Sequence, residues 1–210
     1  MKNSFLCFIT LITIAAALSA ASAHIPELVL DNKNYSEQPV IVDEPEISFA
    51  YYGQMGGQPH IYKIEMKRPG NLYVNLLAPY DGKSNITPVT EFILFNETGV
   101  IAEFSNITNW TPFYEEYGGN WYLKGPEVDI NVTEGDYYVN VSSPTNTDMY
   151  VLAIGKIERF GAVEILKTAF MLPEIKAIFF EDYTLMIIYM IISVAILCVI
   201  GFFVWKKRNK

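Results

Sequence analysis

Polar and apolar residues alternate with a period of two through much of the stretch from 46 to 155, the spacing of strands that bury one face. Tyr62, Ile64 and Met66 alternate with Lys63, Glu65 and Lys67. Pro69-Gly70 then turns the chain into Leu72, Val74 and Leu76, interleaved with Tyr73 and Asn75, which predicts a half-buried hairpin. A second hairpin is expected from Glu91 to Phe95, through the turn Asn96-Glu97-Thr98-Gly99, to Val100 and on to Phe104. Val128 to Val132 leads through Glu134-Gly135-Asp136 into Tyr137, Val139 and Val141, and Tyr150 to Ile154 reads as a closing strand. About eight short strands with regularly spaced turns predict a mainly β fold, an antiparallel β-sandwich.

The period changes after the sandwich. Between Phe160 and Phe180, Val163, Leu166, Ala169 and Phe170 share one face while Glu164, Lys167 and Thr168 lie elsewhere, so an amphipathic helix is expected, broken near Pro173. It either packs on the sandwich or lays Phe170, Met171, Phe179 and Phe180 in a membrane interface. Leu185 to Trp205 is free of charge, and 21 residues at helical rise span about 31 Å, the thickness of a bilayer core. Tyr183 on one side, and Trp205 with Lys206, Lys207, Arg208 and Lys210 on the other, place the short tail in the cytoplasm. At the start, Lys2, the apolar run Phe5 to Leu18 and the small residues Ala20, Ala21, Ser22 and Ala23 form a secretory signal with cleavage expected after Ala23. The expected organisation is thus signal 1–23, ectodomain 24–158, juxtamembrane helix 159–182, membrane span 185–205 and tail 206–210.

Charge narrows the partners. The 24–184 segment holds all 23 acidic residues against ten basic ones, a net charge of about −13, which repels phosphate backbones and argues against nucleic acid. Both cysteines fall outside the ectodomain, Cys7 in the signal and Cys198 in the span, so no disulfide is expected to hold the fold. Seven N-x-S/T sequons begin at Asn34, Asn85, Asn96, Asn106, Asn109, Asn131 and Asn140, where chance would give about one, and they read as a glycosylated cell surface. Asn131 and Asn140 each stand between apolar strand residues, and alternation turns both to solvent.

From Phe92 to Ile154 the chain resembles the bacterial pre-peptidase C-terminal domain family. The segments that carry the likeness are ILFNETGVIAE with Gly99 in its turn, TEGDYYVNV with Gly135 before a Tyr-x-Val strand, and the closing MYVLAIG. The resemblance implies a small β-sandwich that acts as an accessory or binding module, and it carries no catalytic residues.

Candidate chemistry is sparse. Signal cleavage would free an amine on His24, and that amine with the imidazoles of His24 and His60 would form a nitrogen set suited to Cu(II). The second candidate is the aromatic run Trp110, Phe113, Tyr114, Tyr117, Trp121 and Tyr122, read as a long loop. Its rings beside amides and carboxylates suit stacking on sugars or anchoring a protein partner. The expected function is a membrane-anchored, non-enzymatic binding or scaffold module of the cell envelope. Its partner would be an envelope polysaccharide or a protein. The alternatives are copper binding through His24 and His60, or a structural subunit of a membrane complex.

Overall fold

Eleven strands and two helices account for the described residues, which in this computed structural model are 24–30, 34–83, 87–116, 118–159 and 161–209. The expected signal, the sequon at Asn85, the ring of Tyr117, and Phe160 lie outside them. The strands are β1 (Ile25–Val29), β2 (Val40–Val42), β3 (Phe49–Gln54), β4 (His60–Met66), β5 (Gly70–Tyr80) and β6 (Glu91–Asn96). They continue as β7 (Gly99–Phe104), β8 (Thr111–Glu115), β9 (Asn120–Val132), β10 (Gly135–Ser142) and β11 (Met149–Ile154), followed by helices α1 (Ala162–Phe180) and α2 (Thr184–Arg208). One sheet runs in the order β1-β3-β11-β5-β9-β8 and the other β2-β4-β10-β6-β7, together a sandwich-like fold.

The inward faces are those the alternation marks. Tyr62, Ile64, Leu72, Val74, Leu76, Phe92, Leu94, Val139, Val141, Leu152 and Ile154 are buried in one cluster between the sheets. Two expectations about pairing fail. The segments around Pro69-Gly70 form no hairpin, because β4 lies in the five-stranded sheet and β5 in the six-stranded one, so the turn carries the chain across the core. The turn at Gly135 does the same between β9 and β10, whereas β6 and β7 do pair as a hairpin. Nor are the sheets purely antiparallel. β1 runs parallel to β3 and β2 parallel to β4, extending both sheets at the same end of the sandwich.

One tyrosine spans the core. Tyr150 of β11 reaches from the six-stranded sheet to β4, where its hydroxyl lies 2.8 Å from His60 Nδ1 and 2.8 Å from the Tyr62 hydroxyl. All three side chains are fully enclosed. Gly53, directly opposite Tyr150 in β3, makes room for this ring, since a Cβ there would overlap it. Burial raises the pKa of Tyr62 and Tyr150 far above the usual phenol value. It also pushes Tyr52 up to about 12, and burial followed by the field of Glu127 does the same for Tyr73. A phenol in the unfolded chain ionises near pH 10, so the stabilisation is intact below that pH and drains away as pH rises from about 10 to 12 and beyond. Alkaline titration is therefore expected to release the tyrosinate absorbance of these buried phenols in one cooperative step, together with loss of the β circular dichroism. Ionisation of every phenol with the dichroism unchanged is the contrary result.

α1 covers the outer face of the six-stranded sheet. Ile175 and Phe179 pack with Ala50, Tyr52, Leu77, Tyr122, Val151 and Ala153 in a second buried cluster. The expected break at Pro173 does not occur, and the 19-residue helix runs through it. Proline removes the donor to the carbonyl four residues back, and that carbonyl, on Ala169, instead accepts a hydrogen bond from Tyr189 of α2 at 3.1 Å. α1 ends at Glu181 in a left-handed conformation, and Asp182 Oδ1 accepts from the Thr184 N–H at the start of α2. α2 is long and apolar enough to cross a membrane.

Candidate functional site

The aromatic run is not a loop. Thr111 to Glu115 and Asn120 onward pair as an antiparallel hairpin at the edge of the six-stranded sheet, with register Phe113↔Tyr122 and Tyr114↔Trp121. Directly opposed residues point to the same face, so the hairpin divides its rings into two groups.

Phe113 and Tyr122 face the side on which α1 lies. Tyr122 is buried, its hydroxyl 2.8 Å from that of Tyr52 and its ring edge-on to Phe180. Lys176 of α1 donates to Asn120 Oδ1 at 3.0 Å, so the hairpin is fastened to the C-terminal half of the helix. Trp110 is also taken up by packing. Its Nε1–H donates to the Ile107 carbonyl at 3.0 Å, and its ring occupies the space beside Gly125, where a Cβ would come within 2.6 Å. These two residues serve the fold.

Tyr114 and Trp121 point to the other face and remain 45% and 42% exposed. Their ring centroids are 5.1 Å apart at 52°. The register across β5 adds a ring that sequence reasoning missed, since Tyr80 pairs with Trp121. The result is a row of three aromatics, Tyr80, Trp121 and Tyr114, laid across three neighbouring strands. Gly82 lies against the central ring, where an added Cβ would come within 3.1 Å of Trp121. Tyr80 continues the alternation of Leu72, Val74 and Leu76, but a strand is not expected to run through Pro79. A row of this kind offers flat apolar faces with phenol and indole hydrogen-bonding groups at their rims.

The two histidines are not brought together. His24 shares the outer face of the six-stranded sheet with Ser48, whose Oγ is 2.5 Å from His24 Nδ1, and it lines a narrow cavity with Tyr52, Thr168 and Ile175 beneath α1. Burial lowers the pKa of His24, with Glu158 opposing the shift. His60 lies on the far side of that sheet, inside the sandwich, bonded to Tyr150 and edge-on to Tyr35 at 4.9 Å. A layer of strands separates the nitrogens that a shared copper ion would need. Among the described residues, no group of three or more His, Cys, Asp or Glu side chains is placed to hold a metal.

Carboxylates gather instead at two open clefts. One, of about 530 Å³, lies between the edge strands β1 and β2 and is lined by Glu27, Asp43, Glu44, Tyr35 and Tyr51. The other, of about 540 Å³, is framed by Glu46, Glu65, Arg68 and Lys156. Arg159 holds Glu44 through two hydrogen bonds and keeps its carboxyl below the usual range. Such exposed pairs shape the surface and add little stability.

Of the sequons, Asn34, Asn106, Asn109 and Asn131 are exposed. Asn96 is half-buried, and its Oδ1 accepts from the N–H and hydroxyl of Thr98. Asn140 faces outward between Val139 and Val141, as alternation requires, but is half-covered, with its Oδ1 enclosed.

No protein-family model matches the chain, and no curated protein matches it. Among solved structures, the pre-peptidase C-terminal domain of collagenase from Bacillus anthracis is 14% identical, with a TM-score of 0.33 over 64% of this chain and 98% of that one. A β-glucosidase from Kluyveromyces marxianus is 17% identical, with a TM-score of 0.30 over 61% of this chain and 14% of that one. A β-glucosidase from Paenibacillus barengoltzii is 12% identical, with a TM-score of 0.30 over 64% of this chain and 12% of that one.

Proposed function

We propose that the protein is a membrane-anchored envelope glycoprotein whose sandwich, displayed outside the cytoplasm, binds an envelope polysaccharide through the row Tyr80, Trp121 and Tyr114. The observation that carries this reading is the register that puts Tyr80, Trp121 and Tyr114 on one face of three neighbouring strands with Tyr114 and Trp121 exposed, whereas Phe113, equally exposed, stands on the other face beside the buried Tyr122. Exposed rings in register on neighbouring strands form a rigid platform, and burial of their faces against a sugar ring would supply the affinity. Two features support the anchoring: the length of α2, and the bases Lys206, Lys207 and Arg208 in its last turn. The exposed sequons and the acidic ectodomain fit a hydrated surface.

The test is retention of the full-length chain, in detergent, on immobilised polysaccharide from the source cell's own envelope. Trp121→Ala and Tyr114→Ala are each expected to weaken retention about tenfold or more, equivalent to 1.4 kcal/mol, with the circular dichroism unchanged. Phe113→Ala, on the opposite face of the hairpin, is expected to leave it intact. Equal losses from all three changes, or loss only where the fold is lost, would remove the row as the binding site.

A further inference from the structure

α1 has two apolar sides, and protein covers one of them. Ile175 and Phe179 pack on the sheet. On another side, Val163, Leu166 and Phe170 are 72%, 60% and 78% exposed, at spacings of three and four that align them along one ridge. The charges nearest this ridge are drawn away from it. Lys167 is paired with Glu27 of β1, and Glu164 accepts from the Gly161 N–H at the helix's own start. Glu174, one turn beyond Phe170, ends the apolar stretch.

The position of α2 indicates what lies against this ridge. The three residues Glu181 to Tyr183 join the helices, and α2 turns back so that the Tyr189 hydroxyl meets the Ala169 carbonyl. That carbonyl is available because Pro173 has no N–H to give it. Tyr189 lies four residues past Leu185, the first residue of the uncharged span, about 6 Å along the helix axis. Side chains on a helix lean toward its N-terminus, so the Tyr189 hydroxyl reaches back toward the boundary of the hydrocarbon core. With α2 spanning the membrane, Ala169 is therefore tied near that boundary. Leu166 and Phe170, its neighbours on the helix surface, come with it.

We infer that Val163, Leu166 and Phe170 form a lipid-contacting ridge that seats α1 in the membrane interface, and that the Tyr189–Ala169 hydrogen bond orients this helix against the span. The inference rests on α2 crossing the bilayer. A helix tucked into the headgroup boundary by a few large apolar side chains gains by removing them from water. The sandwich packed on α1 is then held close over the membrane instead of swinging on a tether.

The test uses full-length protein with Cys7→Ser and Cys198→Ser, carrying one fluorophore on an introduced cysteine in phosphatidylcholine nanodiscs at one chain per disc. Labels are placed at Phe170→Cys, at Ile196→Cys in the middle of α2, and at Glu97→Cys in the β6–β7 turn. Quenching by a shallow lipid nitroxide is compared with quenching by aqueous iodide. The expected result is several-fold stronger lipid quenching at position 170 than at 97, with iodide access reduced. A position-170 label that behaves like the one at 97, while position 196 is quenched by lipid, would overturn the ridge and leave the anchor standing. Failure of lipid quenching at 196 as well would remove the anchoring itself. Protection of position 170 from both quenchers would assign the ridge to a protein contact and also overturn the inference. Tyr189→Phe is expected to lower the lipid quenching at 170 with 196 unchanged, and no effect would eliminate the orienting role of the hydrogen bond.

Discussion

Tyr150→Ala is expected to lower the unfolding free energy by about 3–5 kcal/mol, the range for emptying a buried aromatic site. The side chain is fully enclosed, and its loss has two separable costs. The ring leaves a cavity in the middle of the inter-sheet cluster, beside Gly53, which has no side chain to fill it. The hydroxyl also leaves behind Tyr62 and His60, each of which it meets at 2.8 Å. Tyr150→Phe keeps the ring and is expected to cost about 1–3 kcal/mol, the penalty for leaving buried polar partners behind. Denaturant unfolding of the full-length chain in detergent separates the two. If Phe costs as much as Ala, the polar bridge outweighs the packing. If Phe costs nothing, the bridge contributes no stability. Because the obstruction at Gly53 is the Tyr150 ring, Gly53→Ala is expected to be much less harmful in the Tyr150→Ala background, a coupling that a double-mutant cycle reads directly.

Gly155→Ala is expected to destabilise by about 2–4 kcal/mol, adding a left-handed backbone penalty to overpacking. Gly155 follows β11 with φ +79°, and a Cβ there would overlap the carbonyl oxygen of Ile47. Unlike the ring at Gly53, this neighbour is main chain and is pinned by the bridge between Ile47 and Ile157. The Gly155 N–H also donates to the Tyr73 carbonyl at 3.1 Å, so the turn cannot shift without losing a link to β5. Thermal unfolding of the variant tests this. Loss below about 0.5 kcal/mol, the range of neutral surface changes, would mean that the turn relaxes freely.

Alternation told which residues face the core, but not which strands are neighbours. Tyr62, Ile64 and Met66, like Leu72, Val74 and Leu76, are inward as their spacing requires. The two rows face each other from opposite sheets, and a hairpin folded onto one sheet would show the same pattern. β1 and β2 escaped notice because they are short, lie among acids and prolines, and pair in parallel with strands further along the chain. The aromatic run was visible as composition, yet composition does not distinguish Trp110 from Trp121. What separates them is the space beside Gly125, which takes up the Trp110 ring, and the strand register, which leaves Trp121 on an exposed face. At Pro173 the local rule predicts a broken helix, and a donor from a different helix satisfies the carbonyl instead. Such a partner cannot be read from the α1 segment itself.

The strand order has a consequence for how the chain becomes a molecule. β11 sits between β3 and β5 in the middle of the six-stranded sheet, yet it is the last strand in sequence. As the chain grows from its N-terminus, β1 and β3 on one side and β5, β9 and β8 on the other remain separate half-sheets until residues 149–154 arrive to join them. Their inward apolar faces stay incompletely covered during that interval, when unpaired edges are most prone to wrong partners. The joins that complete the sheet link residues about a hundred and about seventy-five positions apart, so assembly is governed by long loop closures and is slow for a chain of this size.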